Sequence, residues 1–224
     1  MIARSKRSLL GRHWVPPERI EPLSFEIIGG LLPPTDLSED EMEVVKRVVH
    51  TTGDPEIVRH LRFHPEAIAA GVGAIRQGKS LFVDVKMVAA GINRLLADRH
   101  GCQVECLIES PEAAEEARDL SITRAAAGVL RNRWRFEGAL VAIGNAPTAL
   151  LALLDLVDDG HPAPALVVGV PVGFVGAAEA KAALAQRDLP FIATEGTRGG
   201  STMAAGIVNA LLKLAAKERG DAHI

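Results

Sequence analysis

A histidine that could do acid–base chemistry, His50, stands near the end of a segment with helical periodicity. Apolar residues recur over Met42–Val49 at the i, i+3, i+7 spacing that predicts the buried stripe of a helix. His50 lies off that stripe, and Lys46 and Arg47 share its face because they precede it by four and three residues. Since imidazole exchanges protons near neutral pH, His50 could serve as a general acid. A solvated surface histidine is the alternative interpretation.

Three glycine-containing segments, residues 144–148, 171–176 and 196–201, each follow a β-prone run. In open α/β sheets, ligands bind outside the carboxyl ends of the strands, where glycine lets the backbone approach closely and helix N-termini attract anions. Three such segments predict a large ligand with several negative charges, whereas tight turns alone are the other interpretation. The candidate ligand contacts there are Gly144, Asn145, Gly173, Arg198, Gly199 and Gly200.

Arginine is suited to carboxylates because its planar guanidinium can donate two parallel hydrogen bonds. Besides Arg198, Arg124 is a candidate because it follows Thr123 at a predicted helix start. Arg47 is a further candidate on the face of His50. We interpret Arg62 as a solvated surface charge.

The elements that must position these residues alternate along the chain. Strands are predicted at Leu81–Val85, Gln103–Ile108, Ala139–Ile143, Ala165–Val170 and Phe191–Thr194. Helices are predicted at Pro65–Gln77, Met87–Asp98, Pro111–Arg118, Thr123–Arg133, Thr148–Val157, Ala177–Gln186 and Met203–Lys217. This alternation indicates an α/β fold with an open, mainly parallel sheet and helices on both faces, and the near-continuous apolar strands fit burial on both sides.

The ends of the chain carry weaker patterns. Residues 1–23 are predicted to form an irregular N-terminal arm, residues 24–217 a single α/β domain, and residues 218–224 a polar tail. A short apolar patch at Ser24–Ile28 is expected to stop at Gly29-Gly30. Ser38 and Glu41 form a capping-box pattern that predicts a helix to about Thr52, ended by Gly53.

Composition excludes several classes of partner. The net charge of −3 gives no basic field for nucleic acid, and no apolar run approaches the roughly 18 residues that a bilayer span needs. We therefore expect a cytoplasmic protein with no membrane or nucleic-acid partner.

The dinucleotide fingerprint and the Walker A sequence are absent, which argues against nucleotide cofactors. His60 and His64 have helical metal-ligand spacing but no evident third ligand, so we predict no metal site.

Several segments together resemble the precorrin-8X methylmutase family. The resemblance covers about residues 24–212. Its matching segments are Arg47–His50, Leu61–Pro65, Asp84–Ile92, Thr123–Ala127, Val141–Leu150, Gly169–Glu179 and Arg198–Met203. The resemblance implies a homodimer with a Rossmann-like sheet, with sites near the dimer interface that hold a tetrapyrrole. It also implies migration of a methyl group from C11 to C12 without a cofactor.

The resemblance also implies roles for individual residues. His50 stands where the family has its catalytic histidine, and Arg124 where it has a substrate-contacting arginine. Ser24 resembles the serine of the family's N-terminal motif, and Asn93 stands where many members have threonine. The chain departs from the family pattern at Thr51-Thr52, where Ala-Cys is usual, and it has no tyrosine.

Two points remain open from the sequence. A non-catalytic carrier of corrinoids or other tetrapyrroles is the alternative function, which retention of His50 disfavours. No motif distinguishes a metal-free substrate, precorrin-8X, from its cobalt-containing counterpart, cobalt-precorrin-8.

Overall fold

A computed structural model describes residues 13–217. The helices are α1 (Pro17–Leu31), α2 (Glu39–Thr52), α3 (Ala67–Arg76), α4 (Lys86–Gly91), α5 (Arg94–Arg99), α6 (Pro111–Asp119), α7 (Arg124–Arg131), α8 (Pro147–Asp158), α9 (Ala177–Ala185) and α10 (Ser201–Lys217). The strands are β1 (Leu61–Phe63), β2 (Leu81–Val83), β3 (Val104–Cys106), β4 (Leu140–Ile143), β5 (Leu166–Gly169) and β6 (Phe191–Thr194), and a 3₁₀-helix spans Pro55–His60.

The six strands form one sheet in the order β1-β6-β5-β4-β2-β3. Only β1 runs antiparallel to its neighbour, and the other five strands are parallel. Because the carboxyl ends of parallel strands meet at one edge, the loops after β4, β5 and β6 share that edge. The predicted α/β fold, an open and mainly parallel sheet of Rossmann-like kind, is confirmed.

Two apolar layers cover the two faces of the sheet. Along β4, Leu140 and Ala142 pack with α2, α3 and α10, whereas Val141 and Ile143 pack with α7, α8 and α9. This alternation follows from the period of two in a strand. Since both faces are buried, the strands are apolar throughout, as the sequence predicts.

The predicted start and end of α2 are confirmed. The Ser38 backbone N–H donates to Glu41 Oε2 over 2.8 Å, and the Glu41 N–H donates to Ser38 Oγ over 3.3 Å. Gly53 closes the helix in the left-handed conformation, with φ of 69°.

The expected irregular arm is wrong over residues 17–23, because α1 begins at Pro17. A proline at the first helical position lacks only an N–H that would have no partner there. The helix also continues through Gly29-Gly30 to Leu31, with Ile28 buried against the core. Residues 13–16 precede α1 and belong to no helix or strand. Residues 1–12 of the predicted arm and the predicted polar tail lie outside the described residues.

Two further expectations need correction. The sequence does not predict strand β1, because three residues paired at the edge of the sheet give too short a pattern. The single helix expected at Met87–Asp98 is instead two helices, because Asn93 is extended and its side chain accepts a hydrogen bond from the Leu96 N–H. Within residues 13–217, no helix has the length and apolar character that a bilayer crossing requires.

Candidate active site

His50 lies exposed in the last turn of α2, beside α1. Its Nδ1 is 2.7 Å from Ser24 Oγ, and its ring centroid is 5.7 Å from that of Phe25. Both neighbours lie on α1, so the docking of that helix orients the imidazole. Since Ser24 engages Nδ1, Nε2 is the nitrogen that remains for a ligand. The structure thus brings Ser24 and His50 into contact. The sequence indicates both as candidate site residues but does not predict that they lie side by side.

Arg47 joins α1 to α2. Its Nη2 donates to Glu21 Oε1, which also accepts from Lys213 Nζ on α10. Its guanidinium carbon is 4.7 Å from the centroid of the Phe25 ring. Partial burial acts to raise the pKa of Glu21, but hydrogen bonds from Lys213 and Arg47 outweigh it and lower that pKa below its ordinary value. Arg47 therefore positions Ser24 and Phe25, and its role as a substrate contact stays a prediction.

The loop between β6 and α10 reaches the end of α2. Arg198 Nη1 donates to Asp54 Oδ2 over 2.8 Å, one residue after the Gly53 cap. Both side chains of this ion pair remain nearly half exposed, at 46% for Arg198 and 40% for Asp54. Arg198 therefore lies on the same side of the molecule as His50 and can still be reached by an anion.

Hydrogen bonds join the loops after β5 and β6. The Gly200 N–H donates to the Val170 carbonyl over 2.9 Å, and the Gly173 N–H donates to the Thr197 carbonyl over 3.2 Å. A Cβ at Gly199 would lie 2.2 Å from the Val170 carbonyl oxygen, so only glycine fits there. The first loop also carries Phe174 at its tip, 92% exposed.

The loop after β4 differs from what the sequence suggested. The Asp84 carboxylate, fully buried, accepts hydrogen bonds from the N–H groups of Gly144, Asn145 and Ala146 over 3.1, 2.7 and 2.8 Å. Burial raises the pKa of Asp84, and these amide hydrogen bonds act in the opposite direction. The Gly144 and Asn145 N–H groups are therefore occupied by an internal carboxylate, and contact of these two residues with a ligand stays a prediction.

Gly144 itself is needed for packing. A Cβ at that position would lie 2.8 Å from both Ser201 Cα and Ala204 Cβ, so the glycine allows α10 to start close to β4. Contact of the Asn145 side chain with substrate stays a prediction.

Asn93 and Arg124 lie in separate places. Besides capping α5, Asn93 donates its N–H to Asn209 Oδ1 over 2.7 Å, so its visible role is to fix the α4–α5 junction. Arg124 begins α7, and its Nη2 donates to the Ser110 carbonyl over 3.3 Å. Within residues 13–217, no hydrogen bond or ion pair connects Arg124 with His50 or Arg198. Arg124 is exposed, and the preceding residue Thr123 contacts Thr148 in the first turn of α8, the helix that follows the carboxyl end of β4.

The amino-acid sequence matches a known family. The sequence pattern that defines precorrin-8X methylmutases matches residues 19–214, which include all the predicted site residues from Ser24 to Gly200. The chain belongs to the precorrin-8X methylmutase family. It is thereby an enzyme, an isomerase of cobalamin biosynthesis.

Individual methylmutases are similar over nearly their whole length. The cobalt-precorrin-8 methylmutase of Priestia megaterium is 43% identical over 201 residues, which cover 90% of this chain and 89% of that protein. The precorrin-8X methylmutase of Pseudomonas aeruginosa is 43% identical over 180 residues, covering 80% and 84%. The crystal structure of precorrin-8X methylmutase from Thermus thermophilus superposes with a TM-score of 0.83 at 40% identity, covering 89% of this chain and 98% of that one.

Four residues that support the candidate site are absent from the sequence-based candidates. They are Glu21, Asp54, Asp84 and Lys181. Glu21 and Asp54 are ordinary surface acids until the fold brings Arg47 and Arg198 to them. Lys181 is only 2% exposed, and burial lowers its pKa to about 8. Of the four, only Asp84 has a signal in the sequence, because it directly follows a buried strand, where ligand-binding residues of α/β sheets lie.

Proposed function

We propose that this methylmutase moves a methyl group from C11 to C12 of precorrin-8X or cobalt-precorrin-8, giving hydrogenobyrinate or cobyrinate. The observation that carries the proposal is the contact of Ser24 Oγ with His50 Nδ1. A hydrogen bond at Nδ1 fixes the ring and leaves Nε2 to exchange a proton with the substrate. Within residues 13–217, no hydrogen bond engages Nε2.

The proposed reaction is an isomerisation in which atoms and electrons balance. The bond from C11 to the methyl carbon breaks, the bond from C12 to it forms, and no electron leaves the tetrapyrrole. His50 lends a proton to the conjugated ring system, which draws electron density toward the protonated position, and recovers it afterwards. A placed general acid of this kind contributes about 10²–10⁴-fold to rate. No organic or redox cofactor is needed for such a step.

Binding uses the acetate and propionate carboxylates of the substrate. Arg198 can exchange its half-exposed partner Asp54 for a substrate carboxylate, and Arg124 supplies a second guanidinium at the same sheet edge. Glycines 173, 199 and 200 allow the substrate to approach the backbone of the two joined loops.

Assembly and location are part of the same proposal. We infer a cytoplasmic homodimer whose sites lie near the subunit interface, which is what similarity to the family implies. Analytical ultracentrifugation tests the dimer, because the measured mass will be that of two chains or that of one.

The experiment that tests the function is an ultraviolet–visible assay with purified protein. Incubation with precorrin-8X, and in parallel with cobalt-precorrin-8, should change the spectrum because product and substrate differ in conjugation. Tight binding with no spectral conversion of either compound would instead establish the alternative, a non-catalytic tetrapyrrole carrier.

A further inference from the structure

Lys181 is a buried cation without a carboxylate partner. It projects from α9 and is 2% exposed, and no ion pair joins it to an acidic side chain within residues 13–217. Its Nζ donates instead to the Arg198 carbonyl over 2.6 Å and to Thr194 Oγ1 over 3.2 Å. Burying an ammonium group among neutral partners costs free energy, so a purely structural role would be served at lower cost by an apolar side chain.

The target of Lys181 is one peptide group in the loop between β6 and α10. Thr194 Oγ1 donates to the same Arg198 carbonyl over 2.7 Å, so this oxygen accepts two hydrogen bonds from the interior. The peptide that follows is trans, since no cis peptide bond occurs in the described chain. In a trans peptide the N–H points opposite to the carbonyl. The Gly199 N–H therefore points away from Lys181, toward the outer side of the loop.

That N–H has no acceptor among residues 13–217, whereas the neighbouring Gly200 N–H donates to the Val170 carbonyl. Hydrogen bonds to a carbonyl polarise the peptide and strengthen its N–H as a donor, more so when the donor to the carbonyl is charged. The free N–H belongs to the residue directly after Arg198, whose guanidinium is half exposed. One loop thus offers a polarised amide and a guanidinium to an anion.

We propose that the Gly199 N–H binds a peripheral carboxylate of the tetrapyrrole and that Lys181 is the positioning residue which orients and polarises this peptide. The proposal rests on the function proposed above and adds a binding group and its support to that site. Gly199 cannot be replaced, because a Cβ there would meet the Val170 carbonyl oxygen at 2.2 Å.

The test compares Lys181→Met, which removes charge and hydrogen bonds, with Lys181→Gln, which keeps a neutral donor. The loss of a charge-assisted hydrogen bond predicts a KM about 10-fold higher for Lys181→Met with kcat within about twofold, and a smaller rise for Lys181→Gln. Lys79→Met is the matched control, since Lys79 lies before β2 at the opposite end of the sheet, and its KM should stay unchanged.

Two further measurements do not depend on the folding of Lys181→Met. Thr194→Val removes the other donor to the same carbonyl and should raise KM about threefold. In wild-type protein labelled with ¹⁵N-glycine, the Gly199 amide proton should move downfield when product binds.

The proposal would be overturned if Lys181→Met and Thr194→Val both keep the wild-type KM, or if product binding leaves the Gly199 resonance unmoved. Either result is compatible with turnover by the wild-type enzyme, so the proposed function would not be affected. Absence of wild-type turnover would refute the proposed function instead. In that case the shift of the Gly199 resonance with bound tetrapyrrole still decides whether this amide binds a carboxylate.

Discussion

Ser24 Oγ on α1 lies 2.7 Å from His50 Nδ1 on α2, so the imidazole proposed as the general acid is oriented by a helix that packs beside its own. The same pair of helices is joined by Glu21 and Arg47 one turn earlier. Orientation of the imidazole therefore depends on how α1 docks, and not on α2 alone.

Replacing Ser24 should lower the rate more than the binding. Ser24→Ala removes one hydrogen bond from the imidazole, and a typical hydrogen bond of about 0.5–1.5 kcal/mol corresponds to roughly a 2- to 12-fold loss in kcat. Steady-state kinetics measures this change, with Ser24→Thr as the control that retains the hydroxyl. Equal kcat values for wild type and Ser24→Ala would remove Ser24 from the mechanism.

Glu21→Gln should weaken the docking of α1 in a pH-dependent way. The pKa of Glu21 is lowered in the folded protein, so its contribution to stability is present above the ordinary value of 4.5 and is lost as pH falls through the lower folded-state value. Because the side chain is 44% exposed, we expect a difference of about 1 kcal/mol or less at neutral pH. Urea denaturation of both proteins at pH 7 and at pH 3 measures it, and a difference that persists unchanged at pH 3 would contradict this origin.

Asp84→Asn should destabilise the fold. The buried carboxylate accepts three backbone hydrogen bonds, and an amide offers one oxygen and brings N–H donors toward the same amides. We expect a loss of about 1–3 kcal/mol in the free energy of unfolding, measured by chemical denaturation. Asp36→Asn, at an exposed position, is the control and should change little. Stability equal to wild type would show that the three amides have another acceptor.

Arg124→Ala should raise KM without changing the melting temperature. The guanidinium is exposed and makes one hydrogen bond of 3.3 Å to the Ser110 carbonyl, so its removal costs the fold little. Loss of a guanidinium–carboxylate contact of about 1.5–3 kcal/mol predicts a KM at least 10-fold higher. Arg62→Ala, which removes a surface charge paired with Glu195, is the matched control. If both variants keep the wild-type KM, Arg124 does not contact substrate.

The sequence predicts the elements whose signals are local. The capping box of Ser38 and Glu41, the apolar strands, and the glycines after them each act within a few residues, and the structure contains them. The sequence does not predict α1 because prolines usually break helices. Pro17 stands at the first helical position, which tolerates proline, and Pro22 lies inside the helix.

The candidate site is less predictable because its contacts are long-range. Glu21 meets Lys213, Arg198 meets Asp54, and Asp84 meets the amides after β4, and no local spacing encodes these pairs. Lys181 in an alanine-rich helix carries no sequence signal of burial at all. Only the folded chain shows that the Asp84 carboxylate bonds to the amides of the first glycine loop, and that the Gly199 amide of the last loop has no acceptor among residues 13–217.

Turnover of His50→Ala tests the central claim most directly. With precorrin-8X or cobalt-precorrin-8 at saturating concentration, loss of the general acid predicts a rate about 10²–10⁴-fold below wild type, in a protein with an unchanged circular dichroism spectrum and melting temperature. His13→Ala, at an exposed histidine before α1, should keep the wild-type rate. A folded His50→Ala enzyme that converts substrate at the full wild-type rate would show that the proton comes from elsewhere.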